Sequence, residues 1–164
     1  MKTLLVLRHA KSSWNDSALA DHERPLNSRG RRDGQRMGSL MREHQLIPDV
    51  IISSDAIRAR ATAEAVAESA DYAGEIMLDP RLYLASPADI LAVLRTVQGT
   101  KAECVMIVGH NPGLEALVAQ FTGEPQDLPT ATLAQIVLPI ERWCDLKVST
   151  RGTLVGLWRP KELR

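Results

Sequence analysis

Hydrophobic positions in this chain fall into short blocks, and the stretches between them change period. Leu4, Leu5, Val6 and Leu7 form an apolar run that reads as a buried strand over residues 3–8. Residues 11–26 carry Ser, Asn, Asp and proline without a period and read as a long loop. A loop of that length with no structure of its own is uncommon and tends to carry function. Asn27 or Ser28 then supplies a helix cap, and Met37, Leu40, Met41 and Leu46 follow at roughly helical spacing. Gly30, Gly34 and Gly38 recur every four residues on one face of that helix. Each costs about 1 kcal/mol of helix propensity, so a closely approaching neighbour is expected there.

The β-branched run 50–54 predicts a second strand, and the Ala- and Glu-rich stretch 56–70 a helix capped by Ser54 or Asp55. A third strand is expected at 75–78. Ser86 and Pro87 open a helix over 88–97, with proline in the first-turn position it favours. A fourth strand at 102–108 runs into the turn Gly109, His110, Asn111, Pro112, Gly113, and a helix follows at 114–121. Residues 132–138 and 155–158 complete the strands, the last set against a hairpin turn at Arg151 and Gly152. The polar tail 160–164 is expected to fray. Strands alternating with helices predict an α/β fold with a mostly parallel sheet, and 164 residues suit a single domain, 1–164.

Charge excludes more than it suggests. Twenty basic and twenty acidic side chains give a net charge of zero, so no nucleic-acid or anionic-membrane partner is indicated. No run approaches the ~18 apolar residues of a membrane span. The amino-terminal apolar stretch is too short for a secretory signal and is followed at once by Arg8 and His9, so a cytoplasmic setting is expected. Cys104 and Cys144 lie far apart with no metal-type spacing, and His22 and His44 read as surface histidines, so no metal and no cofactor is expected.

The chemistry collects at strand ends. The first strand ends in Arg8 and His9; the second in Ser53 and Ser54, with Arg58 in the next helical turn; the fourth in His110 and Asn111. In a parallel sheet these carboxyl ends share one edge, where open α/β sheets bind ligands. Two guanidiniums suit the oxygens of a phosphoryl group. One histidine can attack phosphorus, and the other can donate to an equatorial oxygen as charge shifts. For attack, His9 must be neutral, with a carbonyl fixing its other ring nitrogen.

Leu7-Arg8-His9-Ala10, Pro25-Leu26-Asn27 with Gly30, the set Ser54, Arg58 and Thr62, and Val108-Gly109-His110 together resemble the histidine phosphatase superfamily, the phosphoglycerate mutase-like fold. The resemblance covers roughly residues 3–140 and is greatest to the small branch that includes the SixA phosphohistidine phosphatases. It implies a three-layer αβα sandwich. It implies His9 as the catalytic nucleophile, His110 as the second catalytic histidine, and Arg8 and Arg58 as substrate-binding arginines. Asn27 matches a Thr or Asn at the start of the first helix, and Arg24 matches an additional arginine of the small branch; both are carried as substrate-binding. Ala10 stands for the usual Gly, Asp55 for a common Pro and Ala61 for a common Gln.

Larger members carry an acidic proton donor soon after the third strand, and residues 79–85 hold no Glu there. Asp16, Asp21, Glu23, Asp79 or no residue at all remain as donors. Residues 79–101 leave room for one helix and no large lid. Both points favour a phosphatase acting through a covalent phosphohistidine on histidine-phosphorylated protein, because a phosphoramidate needs less help from a general acid than an alkyl ester does. The alternatives are a small-molecule phosphomonoester phosphatase and a phosphoprotein-binding module with weak turnover. Arg60 faces away from Arg58. Arg29, Arg31 and Arg32 read as a solvated helix start or a basic rim for an acidic partner. Trp14 reads as a loop anchor or a contact surface, and Trp143 and Trp158 as core or tail packing.

Overall fold

Six strands, β1 (Lys2–Arg8), β2 (Val50–Ser53), β3 (Ile76–Leu78), β4 (Cys104–Gly109), β5 (Leu133–Leu138) and β6 (Thr153–Trp158), form one sheet in the computed structural model, which describes residues 1–99 and 101–163. The sheet order is β3-β2-β4-β1-β5-β6. The pairs β3–β2, β2–β4 and β4–β1 are parallel, and β1–β5 and β5–β6 are antiparallel. Four helices flank it: α1 (Ser28–Glu43), α2 (Ile57–Ser69), α3 (Pro87–Leu94) and α4 (Gly113–Thr122).

The apolar run of β1 explains the layering. Successive side chains of a strand point to opposite faces. Leu5 and Leu7 pack with Met37, Met41 and Val66 of α1 and α2, while Leu4 and Val6 pack with Leu91, Leu94 and Leu117 of α3 and α4. All four strand residues are fully buried, as expected where helices cover both faces of a central strand. The result is the three-layer αβα arrangement. Between β3 and β4 there is a short 3-10 helix, Pro80–Leu82, and then α3, with no large lid among the described residues.

Several local expectations change. Residues 11–26 are not structureless: Ser12 bridges Leu26, Ser13 N–H donates to Pro25 O at 2.8 Å, and Asp21–Glu23 form a 3-10 helix. The loop is thereby pinned at its base with its middle folded back. Neither Ser54 nor Asp55 caps α2; Ala56 occupies that position, and the Ser54 hydroxyl accepts the N–H of Ala56 itself, at 3.2 Å. No tight hairpin forms at Arg151 and Gly152. Residues 139–152 make a longer connection, held down by fully buried Trp143, whose indole N–H donates to Ala102 O at 2.7 Å. The tail does not fray at 160–163: Pro160–Glu162 form a 3-10 helix, and Arg36 donates to Leu163 O at 2.9 Å.

The glycine face of α1 meets α2. A Cβ on Gly38 would lie 2.5 Å from Val66 O and 2.7 Å from Ser69 Cβ. Gly38→Ala therefore destabilises the protein by about 1–3 kcal/mol through overpacking, although alanine is the better helix former by about 1 kcal/mol. Urea unfolding checks this: the midpoint falls, and an unchanged or higher midpoint would mean that the two helices separate freely. Gly30 serves a different contact. Its missing Cβ would sit 2.1 Å from Lys11 O, so the start of α1 abuts the chain just after His9.

Candidate active site

Parallel pairing brings the three strand ends side by side. Arg8 is in register with Gly109 and Ser53 with Val108, and His9 N–H donates to Gly109 O at 3.0 Å. Arg8, His9, Arg58 and His110 thus converge from β1, β4 and the first turn of α2, and Arg24 joins them from the folded loop. All but Arg8 are buried to 7% exposure or less, and Arg8 is half-buried.

His9 is held neutral with one ring nitrogen fixed. Its Nδ1 lies 2.8 Å from Ala10 O. A carbonyl only accepts, so Nδ1 carries the hydrogen and Nε2 keeps its lone pair. Burial, and then the charges of Arg58, Arg8 and Arg24, lower its pKa to about 4, so the ring is neutral at pH 7. The carbonyl that fixes the tautomer is fixed in turn. Ala10 N–H donates to Thr62 Oγ1 at 2.9 Å, and the Thr62 hydroxyl donates to Arg58 O at 2.7 Å.

His110 faces His9 with ring centroids 5.2 Å apart. Its Nε2 is 2.8 Å from Ser54 Oγ and its Nδ1 3.4 Å from Arg58 Nη2. A guanidinium only donates, so Nδ1 is the acceptor and Nε2–H donates to Ser54. Desolvation, with the neighbouring His9 and Arg58, lowers the His110 pKa to about 3. Donation to a phosphoryl oxygen therefore calls for the other tautomer. Once Arg58 turns to the phosphoryl group, the Ser54 hydroxyl can rotate to donate to Nε2, and Nδ1–H becomes available. Ser54, a cap candidate and a member of the strand-end set in the sequence, is here the fully buried partner of His110.

Asp21 links the arginines. Its Oδ2 accepts from Arg58 Nη2 at 2.9 Å, its Oδ1 from Arg24 Nη1 at 2.9 Å, and its backbone O from Arg58 Nη1 at 2.6 Å. The Tyr83 hydroxyl donates to Oδ2 at 2.5 Å. That hydroxyl above all, with Arg58 and Arg24, holds the Asp21 carboxyl far below the ordinary carboxylate range. In this arrangement Asp21 is ionised and carries no proton to give. The carboxyl of Asp79 is lowered as well, chiefly by its hydrogen bonds with Arg81. Asp16 and Glu23 are exposed and line no part of the cleft.

Arg24 also donates to Ser12 Oγ and to Ser13 O at 3.3 Å, and its guanidinium lies 3.2 Å over the Trp14 ring. Trp14 is 70% exposed, so it is the outer wall of the arginine and not a loop anchor. Arg8 Nη1 donates to Leu128 O at 3.1 Å, and its Nε is buried with no acceptor among the described residues. Tyr83 has no counterpart in the sequence expectations. It stacks edge-on to His110 at 5.4 Å and to His22 at 4.9 Å, and His22 bonds Asp55 at 3.0 Å, so His22 is a flank of the site and not a bare surface residue. The only sequence cue to Tyr83 is its position just beyond β3, at the same sheet edge.

Asn27 is placed otherwise than expected. Its side-chain oxygen accepts Gly30 N–H at 2.8 Å as the α1 cap, and it does not line the cleft. Its contribution is to hold α1 against the chain after His9: Asn27 N–H donates to Lys11 O at 3.0 Å. Arg60 pairs with Glu64 at 2.9 Å, away from the site. No group of three or more His, Cys, Asp or Glu among the described residues is arranged to hold a metal, and no helix among them is long and apolar enough to cross a membrane.

The cleft has a volume of about 330 Å³. Its walls include His9, His110, Arg8, Arg24 and Arg58, and no carboxyl among the described residues. This is a cationic cleft with a neutral imidazole in it. Asp21 competes with any incoming phosphate for Arg24 and Arg58. Asp21→Asn therefore strengthens inhibition by inorganic phosphate several-fold; weaker inhibition in the variant would make Asp21 a support of the arginines and not a competitor.

Residues 4–83 match the family model of the histidine phosphatase superfamily, branch 1. An uncharacterised protein of Mycobacterium tuberculosis is 31% identical over 170 residues, which cover 94% of this chain and 100% of that one. An uncharacterised chloroplastic protein of Arabidopsis thaliana is 28% identical over 141 residues, 81% of this chain, and the match spans only 65% of that relative's length. Among solved structures, a candidate phosphohistidine phosphatase SixA from Nakamurella multipartitia superposes with a TM-score of 0.85 at 26% identity, covering 97% of this chain and 96% of its own.

Proposed function

The chain belongs to the histidine phosphatase superfamily, in its small SixA-like branch, and from that premise we propose that it removes the phosphoryl group from phosphohistidine on a protein, by way of a phosphohistidine on His9. The nucleophile is His9 Nε2. It attacks phosphorus while the bond from phosphorus to the substrate's imidazole nitrogen breaks. Arg8, Arg24 and Arg58 bind the equatorial oxygens, and His110 donates to one of them through Nδ1. Water then attacks the phosphorus on His9 and leaves with it as inorganic phosphate, restoring the neutral ring.

The observation that carries the substrate class is the cleft wall, which holds cations and neutral histidines but, among the described residues, no carboxyl; Asp21 borders it with both carboxylate oxygens engaged by Arg24, Arg58 and Tyr83. An alkoxide leaving group needs a proton from a positioned acid, a contribution of typically 10²–10⁴-fold. A phosphorylated imidazole protonated at its far nitrogen leaves as neutral imidazole without one. The site also lies open at the sheet edge beside exposed Trp14, which suits a side chain presented by another protein.

The test follows phosphate release from a histidine-phosphorylated protein, an aryl phosphate and an alkyl phosphate in parallel. The expected order is phosphohistidine first, then aryl, with the alkyl ester at least about 10²-fold slower in kcat/KM than phosphohistidine. Alkyl turnover equal to that of phosphohistidine would overturn the reading in favour of a phosphomonoester phosphatase. Binding of the phosphoprotein without release of phosphate would make the chain a binding module.

A further inference from the structure

A second cavity, of about 300 Å³, adjoins the catalytic cleft and shares Arg8, Lys11 and Thr130 with it. Its charged walls are Arg8, Lys11, Arg29, Arg159 and Lys161, with no carboxylate among the described residues. In a chain with equal numbers of basic and acidic residues, a wall of one sign is an arrangement and not a consequence of composition. The five cations come from four separate places: the end of β1 with the chain just after it, the first turn of α1, the residue after β6, and the 3-10 helix of the tail.

Only part of this charge is neutralised. Arg159 donates to Asp127 O at 3.1 Å and pairs with Glu162 at 3.3 Å, and Arg29 pairs with Asp33 at 3.6 Å. Lys11 and Lys161 are exposed and make no ion pair among the described residues. Arg8, which stands between the two cavities and is acted on by the charge of Glu115, keeps a buried Nε without an acceptor among the described residues. Buried donors are almost always satisfied in folded proteins. Like-signed side chains gathered around a concavity concentrate an oppositely charged ligand there.

We propose that this cavity is a second anion subsite, which receives a carboxylate or phosphate carried by the substrate itself beside the phosphoryl group to be transferred. The inference rests on the phosphatase reading above and adds to it a preference: for phosphohistidine presented next to acidic side chains, or for a small molecule with two anionic groups. Arg8 touches both groups and sets their spacing. The docked tail, through Arg159 and Lys161, is a specificity element and takes no part in the chemistry.

Two arms test it. In the first, calorimetry compares propanediol bisphosphate with propyl phosphate; in the second, kcat/KM compares phosphohistidine peptides with acidic and with neutral flanks. The wild type is expected to prefer the second anion tenfold or more in each arm that matches its substrate. In Arg159→Ala/Lys161→Ala the preference collapses toward one, through KM and not kcat, with an unchanged melting temperature. A preference in the peptide arm alone assigns the subsite to acidic side chains, and one in the bisphosphate arm alone assigns it to small molecules. No preference in either arm, or a preference that survives in the double variant, overturns the subsite. Should that variant unfold, Lys161→Glu alone is expected to lower the ratio, and an unaltered ratio overturns the subsite equally. Calorimetry needs no turnover, so failure of the phosphatase reading and failure of the subsite remain distinguishable.

Discussion

Replacing His9 by alanine is expected to lower phosphate release by about four orders of magnitude or more, the scale seen when a catalytic nucleophile is deleted, and to remove the acid-labile phosphoenzyme that radiolabelled substrate leaves on the wild type. The geometry leaves no substitute. His110 is the other imidazole in the cleft, but Ser54 holds its Nε2, and its Nδ1, bonded to Arg58 here, carries a hydrogen once Arg58 turns to the phosphoryl group. The same residue predicts a pH profile. Burial lowers the His9 pKa from 6.5 to about 4, so the free enzyme keeps its neutral nucleophile well below pH 6. After correction for substrate ionisation, kcat/KM is expected to show no acid limb between pH 7 and 5.

Stability moves in a definite direction as well. A histidine whose folded pKa lies below its unfolded value favours the native state fully above pH 6.5, and that stability is lost as pH falls toward 4, because the unfolded chain binds the proton more readily. By pH 5 the loss from His9 is on the order of 2 kcal/mol, and His110, lowered to about 3, adds a similar amount. Urea unfolding at pH 7 and pH 5 separates the two: His9→Ala should lose less stability on acidification than the wild type does. Retained turnover or a retained phosphoenzyme in His9→Ala would remove His9 from the centre of the mechanism.

What could be read from the chain alone is what local pattern encodes. The apolar run 4–7, the β-branched run 50–52 and the alternation of elements suffice for the sheet. Parallel strands then force Arg8, His9, Arg58 and His110 to one edge, whatever the loops do. The remainder depends on long-range closure, which leaves no periodic mark. Asp21 reads as one acid among several in a loop until the Ser12–Leu26 bridge folds the 3-10 helix over Arg58. The Tyr83 hydroxyl has a partner because Asp21 arrives beside it. Asn27 fits the family pattern, yet the Asn27 carbonyl is engaged by α1, so its role is positional. The order of the tail leaves no mark in the sequence because five residues with one large hydrophobic among them carry no period, while Arg36 and the apolar seat of Leu163 do the holding.

Arg58→Ala carries the second large effect, and it separates phosphate binding from the chemistry of His9. Arg58 is 4% exposed and donates to Asp21 O, Asp21 Oδ2 and His110 Nδ1. A cation aimed at the charge of a transferring phosphoryl group is worth roughly 10³–10⁵-fold in rate, so kcat/KM should fall by about 10³ or more. Arg58→Lys keeps a charge but not the planar fork that reaches an oxyanion and a neighbouring ring together; less than a tenth of the lost activity should return. The imidazoles report the same change without turnover. Arg58 is among the charges that lower both His9 and His110, so their ring resonances in Arg58→Ala should titrate at higher pH than in the wild type. Burial, the largest cause in each case, persists, so both should stay below 6.5. Loss of activity with unmoved histidine titrations would place Arg58 outside the field of the nucleophile, holding only Asp21 and the loop. Loss together with the upward shift makes it the group that binds the phosphoryl oxygens and keeps His9 free to attack.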